Sequence, residues 1–250
     1  MNVSIEIATT CTWFQHRLCW MLSSVLLQRG DVPQITFSLG YPQDNGDPTT
    51  EEVVAFFRNQ GLAIRELRYP DMEVIQYRGL VRNIQLHNST ADWILFADAD
   101  MTYSPEFFED LGRQLESELV GETGLISASR VSLHKDFCKD FFNLWDKHQY
   151  PCIVENAGEL QDWPVFKQAT ANVGAGYFQL VNRKHILETY GRYVDPAECN
   201  DRSWKDGQKA RSDQQFRHMV GSVRKITTLP QYHLNHSRDN EAGEHLTNQR

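Results

Sequence analysis

The order of apolar patterns in residues 1–100 constrains the fold of this chain more than any other feature. Short stretches with strand-type patterns alternate with stretches whose apolar residues recur at helical spacing. This order predicts a mostly parallel central sheet with right-handed crossovers and flanking helices, which is an α/β fold. The strand patterns cover residues 3–8, 34–39, 62–69 and 93–97, and the helical patterns cover residues 13–27, 51–59 and 77–89.

Weaker patterns continue through the rest of the chain. A helix is expected over residues 105–117, and a polar, Gly-containing loop over about residues 199–210. Thr50 is placed to cap the helix that starts at Glu51. Further strands are expected over residues 125–131, 173–181 and 223–229.

Composition limits the partners. The 250 residues are 40% hydrophobic, which suffices for one compact domain. The 25 basic and 33 acidic residues give a net charge of -8, which argues against nucleic acid as a partner. An anionic ligand would therefore need a local cation, either a metal ion or a few arginines.

The cysteines and apolar runs suggest a cytoplasmic protein. The five cysteines are odd in number and lack CxxC spacing, which favours reduced thiols over disulfides or a zinc site. We expect no signal peptide, because no basic segment and long apolar run follow Met1. No uncharged apolar stretch reaches the roughly 20 residues of a membrane span, so no membrane span is expected.

Two acids follow the most apolar strand pattern, residues 93–97. Asp98 and Asp100 therefore lie at the carboxyl end of a strand, where parallel sheets bind ligands, and alternation would point both to one side. Two close carboxylates favour a divalent cation, held together with a diphosphate. Asp100 is the better direct ligand, and Asp98 could contact ribose or metal-bound water. The alternative is a chance pair in which Asp100 caps the following turn.

These acids carry a family resemblance. Arg82 and Asn83, together with residues 91–101, resemble the Arg-Asn helix and DxD strand of glycosyltransferases with the GT-A (Rossmann-like) fold, in particular family 2. The resemblance implies a divalent metal, commonly Mn²⁺ with Mg²⁺ as the alternative, on the diphosphate of a nucleotide sugar, UDP above all. Arg82 would reach that diphosphate, and Arg78 is a second candidate or a structural residue.

A second acidic position opens a helical pattern near residue 212. Ser212 can cap this helix, and Asp213 lies in its first turn, where the helix dipole keeps a carboxylate ionised. By residue type alone this is an ordinary helix start. It resembles the acidic helix-start motif of inverting GT-A enzymes, which implies that Asp213 is the general base. Ser212 stands where many relatives have Glu.

Two histidines, His233 and His236, form the third part of the candidate site. His233 and His236 can point at one ion only in a helical or turn-like conformation, and a polar surface turn is the alternative. Their segment, residues 233–239, resembles the metal-ligand segment of the β-1,4-galactosyltransferase group. That match implies that His236 is a metal ligand, while His233 occupies a position where the group has methionine.

The resemblance also implies donor contacts. Two glycines precede an apolar strand pattern and would border the donor sugar, since glycine lets a backbone approach closely. Four further residues follow the first two strands, where GT-A enzymes hold the base and ribose. The donor candidates are thus Thr9, Thr10, Arg17, Asp44, Gly174 and Gly176.

Together these features predict one GT-A domain over residues 1–250, with a nucleotide-binding half over about 1–101 and an acceptor- and metal-binding half over about 102–250. The expected reaction is metal-dependent inverting transfer from a nucleotide sugar to a hydroxyl acceptor such as a glycan. A nucleotidyltransferase is disfavoured, because residues 8–12 lack the Gly and Lys of its phosphate loop. A non-catalytic nucleotide- or glycan-binding protein is the other alternative.

Overall fold

A computed structural model describes most of the chain, and all structural statements concern these parts. They are residues 2–11, 14–42, 49–69, 78–117, 124–128, 130–133, 150–160, 166–168, 177–195, 212–221, 223–226 and 230–234. The helices there are α1 (Gln15–Leu26), α2 (Thr50–Asn59), α3 (Arg78–Asn88), α4 (Phe107–Glu116), α5 (Arg183–Thr189) and α6 (Ser212–Val220).

Seven strands form the main sheet, in the order β10-β6-β9-β4-β1-β2-β3. Strand β9 is antiparallel to both of its neighbours, and the other pairs are parallel. The expected α/β fold with a mostly parallel sheet is confirmed. Its strands are β1 (Ser4–Thr10), β2 (Gln34–Pro42), β3 (Ile64–Tyr69), β4 (Trp93–Ala97), β6 (Leu125–Ala128), β9 (Phe178–Asn182) and β10 (Val223–Ile226).

Strand β4 is buried along its whole length, as its unbroken apolar sequence predicts. Trp93 and Leu95 belong to the core that includes α1, α2 and α4, whereas Ile94 and Phe96 belong to the core that includes α3, α5 and α6. Both faces of β4 are thus covered by helices. The residue that follows β4, Asp98, emerges from the most enclosed part of the sheet.

A second sheet has the order β5-β11-β7-β8. Its strands are β5 (Met101–Tyr103), β7 (Val131–Leu133), β8 (Phe166–Gln168) and β11 (Gln231–His233). Strand β11 pairs antiparallel with β5 and parallel with β7. The single strand expected over residues 125–131 is wrong, because β6 ends in the main sheet and β7 begins in the second sheet.

Helix α2 is capped one residue earlier than its sequence suggested. The Thr49 side chain accepts a hydrogen bond from the Glu52 N–H, and the Glu52 carboxylate accepts one from the Thr49 N–H at 2.7 Å. Thr50 is instead buried, and its hydroxyl donates to Cys11 Sγ at 3.7 Å. The reciprocal capping box explains why Thr49 is preferred.

In the described ranges, no helix has both the length and the apolar sequence that crossing a membrane requires.

Candidate functional site

The candidate site lies at the carboxyl edge of the main sheet. Strands β1 and β4 are parallel and end there at Thr10 and Ala97. Strand β9 runs the other way, so its first residue, Phe178, pairs with Ala97 at the same edge. Ligands of α/β sheets bind at this edge.

The two acids after β4 lie in a turn rather than in a continued strand. The Met101 N–H donates to the Asp98 carbonyl at 3.3 Å, which closes the turn. The Asp98 carboxylate is 3.6 Å from Arg82 and 3.9 Å from Arg78. The Asp100 carboxylate has a different neighbour, so strand alternation does not describe how the acids are arranged.

Asp100 contacts His233. The Asp100 Oδ2 atom lies 3.0 Å from His233 Nε2, and both side chains are buried. The backbone fixes this contact, because His233 pairs with Met101 and the Leu234 N–H donates to the Asp100 carbonyl at 2.8 Å. His233 therefore ends a strand, not a helix or turn. His236 lies outside the described residues.

A buried hydrogen-bond chain connects Arg82 with the start of α6. The Arg82 guanidinium donates to the Tyr193 hydroxyl at 2.7 Å, and that hydroxyl donates to Gln179 Oε1. Gln179 Nε2 in turn donates to the Asp213 carbonyl at 3.0 Å. Burial works against the charge on Arg82, but Tyr193, Asp98 and Asp213 outweigh it and raise the pKa of the guanidinium. Two carboxylates from distant segments thus act on one guanidinium.

Asn83 and Phe216 hold Tyr193 in place. The Asn83 carboxamide oxygen accepts the Tyr193 N–H at 2.6 Å, and its amide donates to the Val194 carbonyl at 2.9 Å. The Tyr193 ring stacks on Phe216, with centroids 4.1 Å apart. Burial raises the pKa of the Tyr193 phenol, so the hydroxyl stays neutral and can donate and accept at once.

Asp213 lies in the first turn of α6, as its sequence predicted, and is half-buried. Ser212 is the first helical residue and is buried, so it lies inside the helix rather than at the preceding cap position. The first-turn position places the carboxylate near the backbone N–H groups with which the helix begins.

The remaining candidates are placed less uniformly. Thr9 is only 2% exposed, within β1, and Thr10 is half-buried at the end of that strand. Arg17 is buried in α1, with its guanidinium 4.8 Å from the Phe14 ring. The structure therefore puts Thr10 nearer the open edge than Thr9. The candidates outside the described residues are Asp44, Gly174 and Gly176.

The chemistry of the Asp100–His233 pair fits a divalent metal ion in part. A carboxylate and an imidazole are both ligands that Mn²⁺ accepts. Among the described side chains, no three His, Cys, Asp or Glu groups converge on one point. The described residues thus offer two groups of the type that binds a divalent metal ion, and a complete site would need further ligands from a bound molecule, water or the segment that contains His236.

Sequence reasoning missed the residues that surround the acids. Tyr193 and Gln179 belong to no motif, and only their contact with Arg82 identifies them. Arg130 and Tyr177 were missed as well, although they lie at the same edge, with the Arg130 guanidinium 4.1 Å from the centroid of the Tyr177 ring. Their only sequence signal is that each adjoins a strand of the main sheet.

The sequence matches no family profile and no curated protein, but its fold resembles solved structures. A mannosyltransferase from Pyrobaculum calidifontis in complex with GDP-Man and Mn²⁺ matches with a TM-score of 0.61 and 11% identity, over 100% of this chain and 62% of the other. S. aureus TarS in complex with UDP matches with a TM-score of 0.60 and 10% identity, over 93% and 60%. TarS with UDP-GlcNAc gives 0.57 and 10%, over 93% and 58%.

These TM-scores show a shared fold, and the identities of 10–11% support nothing beyond the fold. This chain spans about three fifths of the length of the solved chains.

Proposed function

We propose that this protein is a metal-dependent, inverting glycosyltransferase of the GT-A type that uses a nucleoside-diphosphate sugar, with UDP as the expected nucleotide. The observation that carries the proposal is the convergence of Asp98, Arg82 and Asp213 at the carboxyl edge of the sheet. The adjacent Asp100–His233 pair supports the proposal, because its carboxylate and imidazole are groups that would bind a cation. Solved relatives of the fold in complex with GDP-Man or UDP support a nucleotide sugar as donor.

Asp100 and His236 would hold the metal ion, and His233, which contacts Asp100, would be a further ligand or would orient Asp100. A bound divalent ion supplies positive charge that stabilises the diphosphate as it leaves. Asp98 is held by Arg82 and Arg78, so its carboxylate is oriented for a donor hydroxyl or metal-bound water rather than left free to rotate. Arg82 offsets the charge of Asp98 at this edge.

Asp213 would take the proton of the acceptor hydroxyl. The acceptor oxygen then forms a bond to the anomeric carbon while the bond from that carbon to the diphosphate oxygen breaks. The electron pair leaves with the nucleoside diphosphate, and the proton remains on Asp213. Gln179 supports this geometry, because its bond to the Asp213 carbonyl fixes the start of α6.

The donor sites expected around Thr10 and Arg17, and those at Asp44, Gly174 and Gly176, would hold the base, ribose and sugar. The acceptor would be a glycan or another hydroxyl compound.

A donor screen tests the proposal. Thermal shifts would be measured with UDP-glucose, UDP-GlcNAc, UDP-galactose and GDP-mannose, each with Mn²⁺ and with chelator. The stabilising donor would then be assayed for Mn²⁺-dependent release of its nucleoside diphosphate. We expect stabilisation and release with at least one donor. Binding without release would instead support the non-catalytic alternative, and release of pyrophosphate from a nucleotide and a sugar phosphate would support a nucleotidyltransferase.

A further inference from the structure

Arg130 lies at the same sheet edge as the acids but follows a different strand. Strands β4 and β6 are both antiparallel to β9, so they point the same way and both end at this edge. Strand β6 ends at Ala128, and Arg130 follows two residues later. Tyr177 directly precedes β9 at this edge. Arg130 and Tyr177 therefore lie at the sheet edge where Asp98 follows β4.

Tyr177 holds the Arg130 guanidinium in a defined orientation. The Tyr177 ring is only 2% exposed, and its hydroxyl donates to the Ala128 carbonyl at 3.2 Å. The Arg130 Cζ atom lies 4.1 Å from the ring centroid. A guanidinium that stacks through its face keeps the N–H groups on its edge available, and these match the two oxygens of a carboxylate or phosphate.

The described part of the protein supplies no counter-ion for Arg130. No described carboxylate lies within 4.0 Å of it, whereas Arg82 pairs with Asp98 and Arg65 pairs with Glu6. Burial raises the pKa of the Tyr177 phenol, so at neutral pH that ring carries no charge to offset the arginine. Arg130 is itself half-buried, so part of its hydration is lost, and an anionic ligand group would offset that loss.

The position of Arg130 separates it from the expected diphosphate. Strand β9 lies between β4 and β6, so the end of β6 is two strand spacings, roughly 10 Å, from the end of β4. The diphosphate would lie near Asp98 and Asp100. A ligand group at Arg130 would then lie beyond β9, the strand whose Gln179 binds the carbonyl of the proposed base Asp213, and the acceptor hydroxyl would lie beside that base.

We propose that Arg130, stacked on Tyr177, binds an anionic group of the acceptor, so that the acceptor of this glycosyltransferase carries a carboxylate or phosphate. The assignment of this anion to the acceptor rests on the proposed function. The anion-binding property itself does not depend on turnover.

Three probes test it: glucose, glucuronic acid and glucose 6-phosphate. Each would be titrated by NMR into the protein with saturating UDP and Mg²⁺. Glucuronic acid and glucose 6-phosphate should bind roughly 10- to 100-fold more tightly than glucose, as expected for one charge-assisted contact. In Arg130→Gln this advantage should disappear, and in Arg130→Lys it should fall, because an ammonium cannot bind both oxygens in one plane.

Arg29→Gln is the matched control, since it removes the same charge from an exposed arginine that pairs with Glu159. The acidic probes should keep their advantage in that variant. Equal affinity of the three probes in the wild-type protein would overturn the proposal, as would an unchanged advantage in Arg130→Gln.

Two further measurements assign the anion to the acceptor. The affinity for UDP with metal should be unchanged in Arg130→Gln, and a tenfold loss would show that Arg130 binds the diphosphate instead. UDP-glucuronic acid should bind no better than UDP-glucose, and an Arg130-dependent preference for it would move the anion to the donor sugar. Repeating the probe titrations without nucleotide separates the proposed function from the anion-binding role of Arg130. A protein that fails to bind UDP can still bind the acidic probes.

Discussion

Asp213 is the residue on which the proposed chemistry depends most. Asp213→Asn should keep donor and metal binding but lose most transfer, because an amide of nearly the same shape cannot accept the proton. The loss should be on the order of 100- to 10,000-fold. The rate of transfer would be compared with UDP affinity measured by calorimetry. Near wild-type transfer in Asp213→Asn would assign the base to another residue. Gln214→Glu, which changes the charge of an exposed neighbour in α6, serves as the control.

The two histidines differ in what supports them. His233 contacts Asp100 at 3.0 Å, while His236 is assigned through the family resemblance alone. The resemblance predicts that His236→Ala raises the Mn²⁺ requirement strongly. For His233→Ala it predicts a smaller effect, of roughly 10- to 100-fold, as for a residue that orients a ligand. Titrating activity with Mn²⁺ in both variants shows which substitution raises the Mn²⁺ requirement more. A larger effect of His233→Ala would make it the principal imidazole ligand.

At the scale of elements, the capping box of α2 gives a stability prediction. Thr49→Ala should lower the free energy of unfolding by about 1 kcal/mol, the usual contribution of an N-cap side chain. Urea denaturation would measure it, with Thr50→Ser as control, because that change keeps the hydroxyl that donates to Cys11. If Thr50→Ser were the more damaging change, Thr49 would not be the cap.

The same capping box predicts a dependence on pH. The Thr49 N–H and hydroxyl lower the pKa of Glu52 below 4.5. A lowered pKa means that the ionised carboxylate stabilises the folded state, fully above the unfolded value and less as pH falls through the folded value. Glu52→Gln should therefore lose stability relative to wild type at pH 7 and converge with it at acidic pH. A difference that stays constant from pH 7 to pH 3 would contradict the assignment.

The chain of hydrogen bonds that ties α3 to α6 gives a second test at this scale. Tyr193→Phe keeps the ring on Phe216 but deprives buried Arg82 and Gln179 of a partner. Leaving buried polar groups unsatisfied costs about 1–3 kcal/mol, and urea denaturation measures it. Tyr190→Phe is the control, because its hydroxyl makes only a long contact, 3.4 Å, with the Val220 carbonyl. Equal effects of the two changes would show that the chain contributes nothing specific.

The long elements could be predicted from sequence because a periodic pattern records burial directly. Strand β4 has the predicted bounds, since both of its faces are covered. Short strands such as β5 and β11 have three residues each, too few for any period to show. The break after Ala128 was missed for a different reason. Strands β6 and β7 are both apolar, and only the three-dimensional course of the chain assigns them to different sheets.

The site was predictable in its charged residues and not in their partners. A carboxylate after a buried strand, such as Asp98, is unusual enough to be noticed in a sequence. Tyr193 and Gln179 are ordinary residue types whose role arises from contact across the fold. The turn at residues 98–100 was also beyond the sequence pattern, because backbone pairing between β5 and β11 sets where the chain bends.

For the whole molecule, charge is the property that most limits what can bind. A net charge of -8 opposes the approach of an anionic diphosphate. At the site, Arg82 is already paired with Asp98, so it offsets an acid rather than adding net positive charge. Asp100, which lies against the imidazole of His233, adds a second acid to the same site. The described residues alone therefore provide a poor environment for a diphosphate.

This balance predicts that UDP binds only together with a divalent ion. Calorimetry in Mn²⁺ and in chelator should show an affinity difference on the order of 100-fold or more, since a bound cation is the largest positive charge such a site can have. Asp100→Asn should abolish most of that difference. Asp110→Asn is the matched control, because Asp110 lies in α4 and accepts a hydrogen bond from Gln114 at 2.9 Å, away from the acids. Equal UDP affinity with and without chelator would mean that arginines alone hold the diphosphate, and the metal would then have no place in the proposed reaction.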